Sequence, residues 1–431
     1  MLPIADLGAD ELDALRNRVL RDYEAFRAKG LKIDMTRGKP SPEQLDLANG
    51  MLVLPGNGDH YSEAGEDARN YGGLQGLAET RALFSPMMGA SADRIVVGDN
   101  SSLAMMHDCL LWAMVKGVPG EMEPWSQQSG APAFICPVPG YDRHFAICEE
   151  YGIRMLPVPL TGHGPDMDMV EELVADPDVK GMWCVPKYSN PSGETYSTET
   201  IERLAAMRTG APDFRLFWDN AYAVHHLTTE RHEIANIIEL CAQAGHPDRA
   251  FVFASTSKIT LAGAGLALFA SSAANVKWYL ARAGKRTIGP DKLNQLRHVR
   301  FLKSMEGLAR HMDAHRALIA PKFDSVIEAL ETRLGGTGVA RWTQPDGGYF
   351  ICVDAMHGTA RDVVELAREA GVVLTPAGAT SPYGRDPNDS TLRLAPTFPS
   401  QEEVRLASEG IALCILLAAV DKLIAQREGG V

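Results

Sequence analysis

Between residues 95 and 270 the chain alternates short apolar runs with longer stretches of helical periodicity, and this alternation constrains the fold more than any other feature. The runs at 95–97, 133–138, 155–159, 181–185, 216–218, 251–254 and 266–270 are too short for buried helices and read as strands. Helical spacing follows at about 101–116, 142–151 and 197–208, the last opening on Ser197 and Glu199. Strands alternating with helices over so long a stretch predict an α/β fold with a mostly parallel sheet covered on both faces. Such a sheet takes its ligands at the carboxyl ends of its strands. Polar clusters fall at those ends: Asp99-Asn100-Ser101-Ser102, Pro139-Gly140-Tyr141-Asp142, Asn190-Pro191-Ser192-Gly193, Asp219-Asn220-Ala221-Tyr222 and Ser255-Thr256-Ser257-Lys258.

The flanks read differently. An amphipathic helix is expected at 9–29, an extended piece at 33–40 and a helix opening at Gly76 and running to 84. The C-terminal part predicts one long helix over 298–334, strands at 348–353, 372–375 and 391–394, and a helix at 360–370. That pattern suggests a smaller α+β lobe which the N-terminal helix joins: 1–50 and 301–431 form the small domain, 51–300 the large one. Gly/Pro/Ser-rich loops lie at 55–67 and 118–132.

Charge and composition exclude several classes. A net charge of −13 disfavours a nucleic-acid partner, which needs a basic face. The longest apolar run, 411–420, is too short to span a bilayer, and the N-terminus lacks the apolar core of a signal peptide. Seven scattered cysteines without a CxxC pair suggest free thiols in a reducing compartment, hence the cytoplasm, and no metal framework. His225 and His226 read as structural for want of a second ligand cluster.

The lysine of the last polar cluster carries the chemistry. Lys258 sits between two apolar runs, where burial lowers its pKa and favours the neutral, nucleophilic amine. Such an amine condenses with a carbonyl. Ser255 and Ser257 offer hydroxyls beside it, as do Ser101 and Ser102 at a helix start, where backbone N–H groups favour an anion; plain N-capping explains the latter pair equally well. Amine and anion donors together are what holds pyridoxal phosphate. Asp219, at the end of a buried strand, needs a cation, which is either a protonated pyridine nitrogen or a structural arginine. Tyr222 and Asn190 can donate to a ring oxygen, and Tyr141 can cover a flat heterocycle or pack in the core. Arg393, inside an otherwise apolar strand, wants a carboxylate.

The order of these motifs, with TRGKP, NYGG, CPVPGYDRHF, PKYSNPSGETYS, TSKITLAGAG and RLAPTFP, resembles the fold-type-I pyridoxal-phosphate-dependent aminotransferases over nearly the whole chain. The wording is similar to the subgroup Ic aspartate aminotransferases, which are related to the aminotransferase domain of MocR-type regulators. The resemblance implies that Lys258 bonds the cofactor and moves the proton. It implies that Asp219 pairs with the pyridinium nitrogen, that Asn190 and Tyr222 contact the ring oxygen, and that Tyr141 stacks on the ring. Ser101, Ser102, Ser255 and Ser257 would bind the phosphate, with Tyr71 reaching it from the neighbouring subunit of a homodimer. Arg393 and Asn190 would hold the substrate α-carboxylate, with Gly38 closing over it. In many relatives an arginine stands eight positions after the lysine; here that residue is Leu266.

The expected reaction is ping-pong transamination between L-aspartate and 2-oxoglutarate. The alternatives are a β-decarboxylase, a lyase or a kynurenine-type aminotransferase on the same scaffold, or a ligand-sensing regulator. Roughly 30 residues precede the first motif, too few for a DNA-binding module in this sequence. For the distal carboxylate of the substrate the candidates are Lys39, ranked first for its place beside Gly38, then Arg37, Arg143 and Arg297.

Overall fold

The alternating apolar runs form strands in a computed structural model that describes residues 3–120 and 122–428. In chain order the strands are β1 (Ile33–Asp34), β2 (Ile95–Val97), β3 (Ala133–Val138), β4 (Arg154–Pro159), β5 (Val179–Cys184), β6 (Arg215–Asp219), β7 (Ala250–Ser255), β8 (Ala267–Ala270), β9 (Ala340–Trp342), β10 (Ile351–Ala355), β11 (Val372–Val373) and β12 (Thr391–Leu394). Seven of them make the central sheet, in the order β2-β8-β7-β6-β5-β3-β4. Only β8 runs against its neighbours; the other pairings are parallel. Strands β5, β6 and β8 are buried throughout, as a sheet covered on both faces requires.

Aromatic packing holds one face. Phe217 lies 5.5 Å from Phe134 and from Phe251, and Phe251 stacks on Trp278 at 5.6 Å. Gly181 of β5 leaves room for Phe134: a Cβ there would sit 2.4 Å from its ring. Because the strands are parallel, their carboxyl ends line up on one edge, and the polar clusters follow them.

A second layer is built from both ends of the chain. β1 pairs with β11, and β9, β10 and β12 form a three-stranded antiparallel sheet. The apolar run at 411–420 lies inside the helix Gln401–Glu428 and is buried on all sides. It packs between the helices Ala9–Arg27 and Met305–Leu334, with Gly410 pressed against the Phe26 ring. Among the described residues no helix is long and apolar enough to cross a membrane.

Several elements differ from the sequence expectations. The expected helix at 298–334 is two helices, Lys292–Leu302 and Met305–Leu334. Lys303 between them takes a left-handed φ of 67°, and Ser304 caps the second helix by accepting from the Gly307 N–H. A Cβ on Gly307 would lie 1.8 Å from the Leu302 carbonyl, so the break needs glycine there. The strand expected at 348–353 starts later, at Ile351, because Gly347 and Gly348 are turned against Tyr188. The helix expected at Gly76 begins at Ala78, since Gly72, Gly73 and Gly76 all have positive φ. The short strand β9 and the helices Met167–Leu173, Ile237–Gln243 and Ala273–Ala283 stand outside the sequence expectations. Of the expected loop at 118–132, position 121 lies outside the described residues, as do the chain ends 1–2 and 429–431 of the expected small domain.

Buried histidines link this fold to pH. Burial holds His226, His298 and His315 down at about 4. Their folded pKa values lie below the ordinary 6.5, so their contribution to stability is complete above pH 6.5 and is lost as pH falls towards 4. The histidine contribution to the thermal midpoint should therefore be level above pH 6.5 and be lost between 6.5 and 4, opposed in part by Glu194, whose carboxyl burial pushes up to about 7. His298→Gln, which removes one titrating group, should flatten the slope between pH 6.5 and 5; an unchanged slope would refute the role of burial.

Candidate active site

A cavity of about 500 Å³ opens where the carboxyl ends of the parallel strands meet β12 and the segment after β1. Its lining brings together Gly38, Ser102, Tyr141, Asn190, Asp219, Tyr222, Ser255, Lys258 and Arg393 from the sequence expectations. Residues as far apart as Gly38 and Arg393 meet there because the N-terminal segment pairs with β11 through β1.

The loop carrying Lys258 is fixed from beneath. The Thr256 hydroxyl accepts from the Leu266 N–H at 2.8 Å and donates to His298 Nε2 at 3.0 Å. His298 in turn donates from Nδ1 to the Asn294 carbonyl at 2.8 Å, which fits the neutral ring that its burial enforces. The Asn294 amide donates to the Ala264 and Gly265 carbonyls, bracing the small-residue turn that follows. The Lys258 carbonyl accepts from His225 Nε2 at 3.2 Å and from the Tyr349 hydroxyl at 3.3 Å. Tyr349 also accepts from Gln44, whose amide meets His315 at 3.0 Å. His225 is thus a backbone anchor of the lysine; burial first and the Lys258 amine second keep it neutral.

At the end of the side chain, Lys258 Nζ lies 5.1 Å from the Tyr222 ring centroid and 5.8 Å from that of Tyr349. Burial pushes this amine below the usual lysine range, with Asp219 partly opposing the shift. Burial likewise pushes the Tyr222 hydroxyl well above the usual tyrosine range and Tyr141 up to about 12. Both phenols therefore stay protonated and can donate.

Asp219 is the last residue of β6 and is 4% exposed. Its Oδ2 meets His144 Nε2 at 3.1 Å, and the His144 ring stacks on Trp183 at 4.3 Å and 7°. Among the described residues its Oδ1 is buried without a partner. A buried carboxylate oxygen left unpaired is costly, so the site is built to receive a donor there. Arg393, on β12, meets Asp142 Oδ1 at 2.9 Å, Asn190 Oδ1 at 3.5 Å and Thr375 Oγ1 at 3.4 Å. Gly38 lies against Phe350, where a Cβ would come within 2.2 Å of the ring.

Other expected residues lie off the lining. Ser101 caps the helix Ser102–Lys116 by accepting from the Ala104 N–H, and Ser257 donates to the Asn100 carbonyl at 3.3 Å. Both stand at the same helix start as Ser102. Leu266 is buried in the core, so no cation occupies that position. Tyr71 is 77% exposed and does not line the cavity of its own chain. Lys39 turns away and sets its amine 3.8 Å over the Phe398 ring, and Arg297 donates to the Leu54 carbonyl. Of the four distal-carboxylate candidates only Arg37 and Arg143 line the cavity. Adjacency to Gly38 does not bring Lys39 in: the backbone folds back there, with the Lys39 N–H donating to the Arg37 carbonyl at 2.8 Å, and the amine rests on the Phe398 ring. His144, Thr375, Tyr349 and Phe350 have no place among the site residues expected from the sequence, and Asp142 stands in its polar cluster without a role. For His144 and Asp142 the only signal is their place beside Tyr141; for Tyr349 and Phe350 it is an aromatic pair after a double glycine.

A family model described as aspartate amino-transferase matches residues 7–427. The chain belongs to this family. An aspartate aminotransferase of Corynebacterium glutamicum is 49% identical over 418 residues, covering 97% of this chain and 96% of the relative. The crystal structure of an aspartate transaminase from Corynebacterium glutamicum superposes with a TM-score of 0.96 at 48% identity, covering 98% and 99% of the two chains. LysN, the α-aminoadipate aminotransferase of Thermus thermophilus, solved with N-(5'-phosphopyridoxyl)-L-leucine, shares the fold at a TM-score of 0.72 and 20% identity, covering 94% and 95%.

As a member of the family this enzyme is a pyridoxal-phosphate-dependent aminotransferase. Its cavity fits the cofactor. The unpaired Asp219 Oδ1 matches a pyridinium N–H, and the amine of Lys258 is biased towards its neutral form. The start of the helix Ser102–Lys116 supplies N–H groups for an anion.

Proposed function

We propose that this enzyme exchanges amino groups between L-aspartate and 2-oxoglutarate, as a cytoplasmic homodimer. The observation that carries the reading is the cationic lining: Arg393 at the inner wall, with Arg37 and Arg143 elsewhere on the same cavity. A dicarboxylate is the substrate that engages two such groups at once. The Corynebacterium glutamicum relative at 49% identity is named an aspartate aminotransferase, which favours the same choice.

Bound pyridoxal phosphate supplies the aldehyde and the electron sink that make a proton on the substrate Cα acidic. In this reading the other functions belong to the chain. Lys258 would hold the aldehyde through its neutral amine and, as a free amine, would carry the proton from Cα as a general base. Asp219, oriented by His144, keeps the ring nitrogen protonated. Asn190 and Tyr222 would donate to the ring oxygen, and Tyr141 would cover one ring face. Ser102 and Ser255 on the lining, with Ser101 and Ser257 at the same helix start, form the phosphate end. Arg393 takes the α-carboxylate, Gly38 and Phe350 shield it from water, and Arg37 or Arg143 takes the distal carboxylate.

The homodimer rests on the NYGG turn. Tyr71 is too exposed for a core residue, and Leu52, Val53 and Ile288 are large apolar side chains left open as well. A tyrosine donated from a second copy compensates for the missing cation at Leu266.

Product analysis tests the reaction. Enzyme incubated with aspartate and 2-oxoglutarate should form glutamate with ping-pong kinetics. Alanine with carbon dioxide would instead mark a β-decarboxylase, and a strong preference for aromatic amino donors would mark a kynurenine-type enzyme.

A further inference from the structure

Arg393 is 9% exposed, in the middle of β12. A guanidinium so enclosed is costly without a counter-charge. The carboxylate that meets it belongs to the protein: Asp142 Oδ1 lies 2.9 Å from Nη1. Asp142 opens the helix Asp142–Glu150 directly after Tyr141, lines the cavity, and has a side chain 36% exposed. The remaining hydrogen bonds of Arg393 are long, 3.5 Å to Asn190 and 3.4 Å to Thr375, and its guanidinium lies 5.2 Å from the Phe350 ring centroid. Asp142 thus engages the planar fork through one oxygen, whereas a substrate carboxylate can present two.

We propose that Asp142 is a built-in stand-in for the substrate carboxylate, neutralising Arg393 between turnovers and yielding it when an amino acid or 2-oxo acid binds. The inference rests on the assignment of Arg393 to the α-carboxylate. Binding is then an exchange of one carboxylate for another, and its affinity reports only the difference. A ligand with one carboxylate gains little from that exchange. A dicarboxylate gains a second cation as well, so it binds despite the exchange, while the cost that Asp142 imposes falls on both kinds of ligand alike. Once released, Asp142 remains at a helix N-terminus, where the exposed N–H groups favour a negative charge.

Calorimetry on the holoenzyme tests this, with acetate and maleate as ligands that cannot transaminate. Asp142→Asn and Asp142→Ser should each tighten both ligands by roughly five- to tenfold, the range expected for removing a competing half-buried ion pair. KM for aspartate and for 2-oxoglutarate should fall in step, by a larger factor than any change in kcat. Unchanged or weaker binding in both variants would overturn the proposal and make Asp142 a positioning residue that orients Arg393. Arg393→Lys separates the underlying assignment. It should weaken acetate and maleate alike; a loss confined to maleate would place Arg393 at the distal carboxylate and remove the basis of the stand-in.

Discussion

Lys258→Ala should lower transamination by about four orders of magnitude or more, the largest effect expected of any single substitution in this protein. The variant loses the cofactor bond and the group that carries the Cα proton, and general acid–base catalysis alone is worth up to about 10⁴-fold. The rest of the cavity should survive. The Lys258 backbone carbonyl stays tied to His225 and Tyr349, and the loop remains braced through Thr256, His298 and Asn294. Purified wild type should be yellow, and borohydride reduction should place the pyridoxyl mass on the peptide containing Lys258. Activity above a few per cent in the variant would reject the assignment.

The same variant tests the shared site. A hybrid dimer of one Lys258→Ala subunit and one Tyr71→Phe subunit should approach half of wild-type activity, because one site collects both lesions and the other collects neither. A Tyr71 acting on its own subunit gives no restoration, and neither does a monomeric chain.

Asp219→Ala should cost about two to three orders of magnitude in kcat, the scale seen when a positioned electrostatic partner of a transition state is removed. The physical basis is asymmetry at one carboxylate. Oδ2 is committed to His144, which Trp183 holds flat, while Oδ1 is buried without a partner. Cofactor affinity should fall too, since the ring nitrogen loses its counter-charge. Asp219→Asn keeps the shape and His144 contact but not the charge, so a similar loss in that variant shows that the charge is what matters. If rate and cofactor affinity both hold in Asp219→Ala, the DNAY motif is structural.

The chain's own order made much of this legible. Apolar runs too short for helices, alternating with helical stretches, are enough to predict a parallel sheet. In such a sheet the residue after each run must lie on one edge. Asp219, Ser255, Lys258, Asn190 and Tyr141 could therefore be placed together without any knowledge of long-range contacts, because the spacing to the end of a strand is a local property. Arg393 stood out for a similar reason, as a charge inside an apolar strand.

What only the tertiary structure decided are the pairings between distant segments and the direction of side chains outside regular strands. Asp142 meets Arg393 across 251 positions of sequence, Gln44 reaches His315 across 271, and His144 reaches Asp219 across 75. No periodicity encodes these contacts, since they depend on how the second layer docks against the sheet edge. Lys39 shows the converse. It is next to a cavity residue in sequence, yet its amine lies on Phe398 because the local backbone turns it outward. The break at Lys303–Ser304 belongs to the same class: helical periodicity runs through it, and the close approach of Gly307 to the Leu302 carbonyl is what permits the turn. Sequence spacing determines which residues share an edge, and packing determines which of them touch.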